Sequence, residues 1–274
     1  LANIDMDLGN FFETEEQLNY AITLCKSNQD YSQVYNNLSE YYARRGQIRK
    51  SIEAVEKSND YASKYTNPID GILSKLAPLR DYALINQTDI ALTRQKENSA
   101  ELAHPFNLLA GFGEIFIADI IGDKDLLKTG ISKIDEFLRI KDFGHIKFIK
   151  KIAYARLNML EENFSDAVNG YKESLIINDW LRIDSTRSII ICHTKNNDTD
   201  EAINVATKFL LKEPFSPTIL LESAKTYIDK GNINKAKELL TKVLNIWENA
   251  DEEYIYFQEA KKLWKEINTE KELA

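Results

Sequence analysis

The chain has 274 residues, 43% of them hydrophobic, and a formal net charge of -8 at pH 7, which fits a folded protein rather than a disordered one. The acidic balance argues against sequence-independent nucleic-acid binding and against docking on an anionic membrane, since both need basic surface. Ten glycines and five prolines leave few helix breakers, and there is no long apolar run or basic-then-apolar leader, so an all-helical protein of the cytoplasm is expected.

In chain order, "TEEQLNYAITLCKSN" reads as one helix with Gln17, Ala21 and Leu24 on its inner face. "YNNLSEYYARRGQIRKSIEAVEKS" is a helical hairpin: Leu38, Ser39 and Tyr42 lie on its first helix, Gly46 at the turn, Ser51 and Val55 on the second. "SKLAPLRDYALINQTDIALTRQKENSAEL" supplies the next pair, with Ala91 on the second helix. "PFNLLAGFGEIFIADIIGDKDLLKTGISKIDEFL" supplies another, with Thr129 in the equivalent place. Pro68, Pro78 and Pro105 sit near the expected helix starts, where proline is tolerated, and Pro78 would otherwise kink a helix. These two units are expected to run longer than their neighbours.

"YARLNMLEENFSDAVNGYKESL" then places Ala155, Ala167 and Tyr171 in register. "ICHTKNNDTDEAINVATKFLLKEP" does the same with Ala202, Ala206, Phe209 and Pro214, and Asn197 takes the turn position because asparagine tolerates the left-handed region. "YIDKGNINKAKELL" is the clearest case: Ala224 and Tyr227 share one face, Gly231 makes the turn and Asn232 caps the second helix. Ala236 lets the two helices approach, and Leu240 and Val243 continue its face. Finally Tyr254, Phe257, Ala260 and Trp264 form an apolar stripe on an otherwise charged segment, which suits a capping helix over Asp251–Asn268.

This pattern resembles the tetratricopeptide repeat, a helix–turn–helix unit of about 34 residues with small residues at fixed positions and a glycine between its helices. The resemblance implies an all-α, right-handed α-solenoid of about six hairpins, with a partial first unit and a C-terminal cap. Residues 1–66 would hold the N-terminal repeats, 67–145 the longer hairpins, 146–250 further repeats, and 251–274 the cap and tail. The central part, with "HPF" at His104–Phe106 and "DFGH" at Asp142–His145, also resembles the helical repeat arm of bacterial multidomain signalling proteins linked to cyclase, kinase or ATPase domains. Because the chain begins at Leu1, a mature form or an excised fragment is expected.

Residues able to do chemistry are sparse. His104, His145 and His193 each stand alone, with no zinc-ligand spacing, so no metal and no cofactor is expected. Cys192 and His193 are helix neighbours that point apart, which disfavours a nucleophile–base pair. "GFGEIF" at Gly111–Phe116 lacks the third glycine of a dinucleotide fingerprint. Cys25 and Cys192 read as buried free thiols. A protein without catalytic activity is therefore expected.

What remains is surface. The resemblance implies a concave face lined by the first helix of each unit. That register places Asn36, Arg44, Arg80, Arg156, Arg187, Lys195 and Lys225 there, against the acids Glu40, Glu114, Asp184 and Asp229. The cations suit a protein or peptide ligand with acidic groups, and the Asn36 amide suits a peptide backbone. Ordinary solvated helix faces would explain the same residues. Two functions stay open: a protein- or peptide-binding scaffold, and a receptor for a peptide pheromone or metabolite that changes the superhelix pitch.

Overall fold

The computed structural model describes residues 9–65, 68–100, 102–141, 147–177 and 181–269. Among them, fourteen α-helices and no strand are found. They are α1 (Phe11–Leu24), α2 (Asn28–Arg44), α3 (Ile48–Ala62), α4 (Pro68–Leu84), α5 (Thr88–Ala100), α6 (Gly111–Ile121) and α7 (Lys124–Ile140). There follow α8 (Lys147–Leu160), α9 (Phe164–Ile177), α10 (Arg182–Lys195), α11 (Thr199–Leu210), α12 (Pro217–Asp229), α13 (Ile233–Ile246) and α14 (Ile255–Thr269). A 3-10 turn at Phe106–Ala110 leads into α6. The Asp142–His145 motif lies outside the described residues.

Six hairpins run from α2–α3 to α12–α13, with α1 as the second helix of a partial first unit and α14 as the cap. Each turn has one residue in the left-handed region: Gly46, Asn86, Gly122, Glu162, Asn197 and Gly231, with φ between 59° and 78°. The intervals between them are 40, 36, 40, 35 and 34 residues. Five residues after the turn stand Ser51, Ala91, Leu127, Ala167, Ala202 and Ala236, all buried. Local chemistry fixes the helix starts. Ser27 and Asp30 form a reciprocal cap on α2, and the Asn232 side chain accepts from the Lys235 amide at 3.1 Å.

Two register assignments are corrected. In the first unit the small inward residue is Thr14, which is fully buried, rather than Gln17. In the unit of α6 and α7 it is Leu127, because Asp123 caps α7 early by accepting from the Asp125 and Leu126 amides at 2.9 Å; Thr129 is exposed. A leucine there would hold the helices apart, and glycines elsewhere restore the contact. A Cβ on Gly130 would lie 2.7 Å from the Gly111 carbonyl oxygen, so "GFG" is a packing device. Cys192 is buried as expected, whereas Cys25 follows the end of α1 and is only half-buried. The cap helix begins at Ile255, after a docking turn, rather than at Asp251.

Consecutive helices pack on each other, and first helices also stack on first helices, α4 on α6 and α10 on α12. The superhelix then meets itself. The Trp247 indole, fully buried, donates to the Arg44 carbonyl at 3.0 Å. The Asp251 amide donates to the Gly46 carbonyl at 3.0 Å, and the Arg49 amide donates to the Asp251 carboxylate at 2.8 Å. Ion pairs Arg45–Glu248 (3.0 Å) and Arg49–Glu253 (2.7 Å) flank this contact. Ile48 and Ile52 of α3 thereby share one hydrophobic core with Ile246, Trp247 and Tyr254.

Candidate functional site: the inner wall of the superhelix

The inner wall is built from first helices, and the expected cations come to it with partners. On α2, Arg44 is 8% exposed and contacts Glu40 at 3.1 Å and Glu213 at 3.7 Å; Glu213 also holds Arg182 at 2.8 Å. Arg80 of α4 reaches Asp184 of α10 at 2.5 Å. Arg156 of α8 pairs with Asp119 of α6 at 2.9 Å and donates to its carbonyl at 2.6 Å. Arg187 of α10 meets Glu222 of α12 at 2.8 Å, donates to the Tyr256 hydroxyl at 2.9 Å and stacks 4.4 Å from that ring. Lys225 lies between Glu222 at 3.0 Å and Glu259 at 2.8 Å. Asn36 is exposed on α2 and Lys195 is exposed at the end of α10; Lys195 makes no ion pair among the described residues.

Burial alone would lower the Arg80 pKa, but Asp184, Tyr256, Asp119 and Asp81 outweigh it and the net shift is upward. Arg187 and Lys225 behave alike, with Tyr256 and Glu222 prevailing over burial for the first and Glu222 and Glu259 for the second. Asp81 shows the opposite balance: burial pushes its carboxyl up to about 6, although Arg80 and the hydrogen bond from Ser51 pull it down. The wall therefore presents fixed donors and acceptors rather than a free positive field.

The partner acids Asp119, Glu213, Glu222 and Glu259 lie outside the expected set of inner-face acids. Two of them, Glu222 and Glu259, carry a readable signal. Asp119 and Arg156 lie 37 residues apart, Arg187 and Glu222 35, and Lys225 and Glu259 34. The spacings of 35 and 34 match the 34-residue interval from Asn197 to Gly231 to within one residue, so those two pairs join near-equivalent positions of adjacent first helices. The spacing of 37 falls three short of the 40-residue interval from Gly122 to Glu162, which leaves Asp119 and Arg156 about one helical turn out of register. Glu259 also shows that α14 stands where a further first helix would.

Two of the expected residues meet in an open pocket of about 320 Å³ between α10, α12 and α14. Ile191, Ile228 and Leu263 give it apolar walls, Lys195 and Lys225 its cations, and Asp229 and Glu259 acids at the same rim. Among the described residues no cluster of histidine, cysteine or carboxylate is placed to hold a metal ion. No helix among them is long and apolar enough to cross a membrane.

No curated protein sequence matches the chain. A tetratricopeptide repeat family model matches residues 217–249, which is the α12–α13 hairpin. Among solved structures, a tetratricopeptide repeat protein from Parabacteroides merdae ATCC 43184 is similar over 97% of this chain and 95% of its own, with 13% identity and a TM-score of 0.55. A Rap protein complexed with Competence and Sporulation Factor aligns with 95% of this chain and 79% of its own, at 11% identity and a TM-score of 0.48. The chain thus contains a tetratricopeptide repeat and has, through its six hairpins and cap, the fold of a tetratricopeptide-repeat solenoid.

Proposed function

We propose that the chain is a non-catalytic scaffold that binds a protein or peptide on its concave side, anchored in the pocket between α10, α12 and α14. One observation carries this reading: Lys195 and Lys225, placed by repeat register alone, open into the same pocket beside apolar Ile191 and Leu263. An apolar anchor side chain with a nearby carboxylate fits that lining, because buried apolar area supplies affinity and a charge fixes register. Lys195 is the cation best placed for a partner carboxylate, since Lys225 already has Glu222 and Glu259.

A random peptide library selected against the full chain tests the reading. Enriched peptides are expected to bind the Lys195→Glu variant about tenfold more weakly, a difference of about 1.4 kcal/mol. Lys195 is exposed, so the variant should keep the circular dichroism of the parent. Equal binding to both proteins would place recognition on another surface.

A further inference from the structure

Two adjoining, partly open chambers share no lining residue with the groove pocket. The inner one, about 40 Å³, has apolar walls including Ile115, Phe116 and Ile152, and is bounded by the Arg156–Asp119 and Arg80–Asp184 pairs. The outer one, about 200 Å³, is bounded by Arg44, Asp81, Ser216 and Tyr254. Arg80 and Asp184 line both, so the two chambers meet at that ion pair.

Each chamber has a buried hydroxyl without a hydrogen-bond partner: Ser185 in the inner and Ser216 in the outer, both 1% exposed. Ser216 stands at the N-cap of α12, where a serine ordinarily accepts from the first-turn amides, yet it makes no such bond. A buried hydroxyl left unpaired is costly, so these two mark where an incoming group completes the wall.

The charges restrict what that group can be. The inner chamber holds two arginines and two aspartates, already matched. A charged group entering it would lose its own hydration without gaining a free counter-ion. A neutral group with both a donor and an acceptor can instead give to a carboxylate and take from a guanidinium or a serine hydroxyl. About 10–15 Å³ is needed per water, so the inner chamber holds an end group of about three or four heavy atoms.

We infer that these chambers bind an uncharged ligand ending in a primary carboxamide, such as an asparagine or glutamine side chain of a peptide. Its amide sits beside Ser185, Asp184 and Asp119, and its body occupies the outer chamber beside Ser216. This site is separate from the Lys195 pocket, so its failure would leave the scaffold reading standing, and the reverse also holds.

Three isosteric probes test it: propionamide, propionate and propionamidine, each titrated into the full chain while the backbone amide of residue 185 is followed by NMR. Propionamide is expected to shift that signal saturably at tens of millimolar, with propionate and propionamidine binding about tenfold more weakly. Ser185→Ala should weaken propionamide about fivefold without lowering Tm, because the hydroxyl it removes has no partner in the free chain. Equal or tighter binding of either charged probe would overturn the inference. So would an undiminished affinity in Ser185→Ala, or the absence of any shift, which would mean that the chambers hold only water.

Discussion

At the scale of single residues, the inner wall is governed by desolvation set against pairing. Asp81 illustrates the balance, because burial raises its carboxyl to about 6 in spite of Arg80 and Ser51. The folded chain therefore holds this proton more tightly than the unfolded chain does. The stabilisation it gives is fully present below the ordinary aspartate range and is lost as pH rises through about 6. Asp81→Asn keeps the size of the side chain and removes the buried charge. It is expected to raise Tm by about 2–5 °C at pH 8 and to leave it unchanged near pH 4, as scanning calorimetry at the two pH values would show. A loss of stability at pH 8 would mean that the Arg80 interaction prevails over burial. The inner-wall ion pairs are half legible: the cations and the acids Glu40 and Asp184 follow from helix register, and Glu222 and Glu259 from adding one repeat length. Asp119, by contrast, is out of register with Arg156, and Glu213 lies in a loop that no register reaches.

At the scale of elements, what the sequence marked most strongly were the turns. The sequence marks Gly46, Asn197 and Gly231 as turn residues, and all three adopt positive φ. Glu162 does so too, at 63°, but glutamate gives no compositional signal of a left-handed residue. The repeat template points to Thr129, but Leu127 takes the position because Asp123 starts α7 early, a capping effect that a fixed template does not anticipate. The two turn glycines also separate local from tertiary constraint. Around Gly231 a Cβ would meet nothing within 4 Å, whereas at Gly46 it would lie 2.7 Å from the Ala250 Cβ. Gly231→Ala is expected to cost about 1 kcal/mol, from backbone strain alone. Gly46→Ala should cost about 2–4 kcal/mol, since overpacking against the Trp247–Tyr254 turn is added. Urea denaturation of the two variants side by side measures the difference, and equal costs would mean that the Gly46 turn does not bear on the C-terminal hairpin.

At the scale of the whole molecule, an open solenoid would let its end repeats fray independently, because each unit touches only its neighbours. Here the α2–α3 turn and the α13–α14 connection bond to each other across about 200 residues of chain, and one core runs through both. This closure was not legible in the sequence, because it depends on superhelical pitch, a sum of small rotations between hairpins that no spacing within one hairpin reports. It also bears on the outer chamber, where Arg44 of α2 and Tyr254 of the α13–α14 connection line the same space as Asp81 and Asp184. Exchange of the Trp247 indole proton tests the closure most directly, since that group donates to the Arg44 carbonyl and only three tryptophans contribute signals. The closed superhelix predicts protection comparable with that of the slowest backbone amides of α12 and α13. Exchange as fast as that of an exposed indole, with those amides still protected, would show that the two ends stand apart.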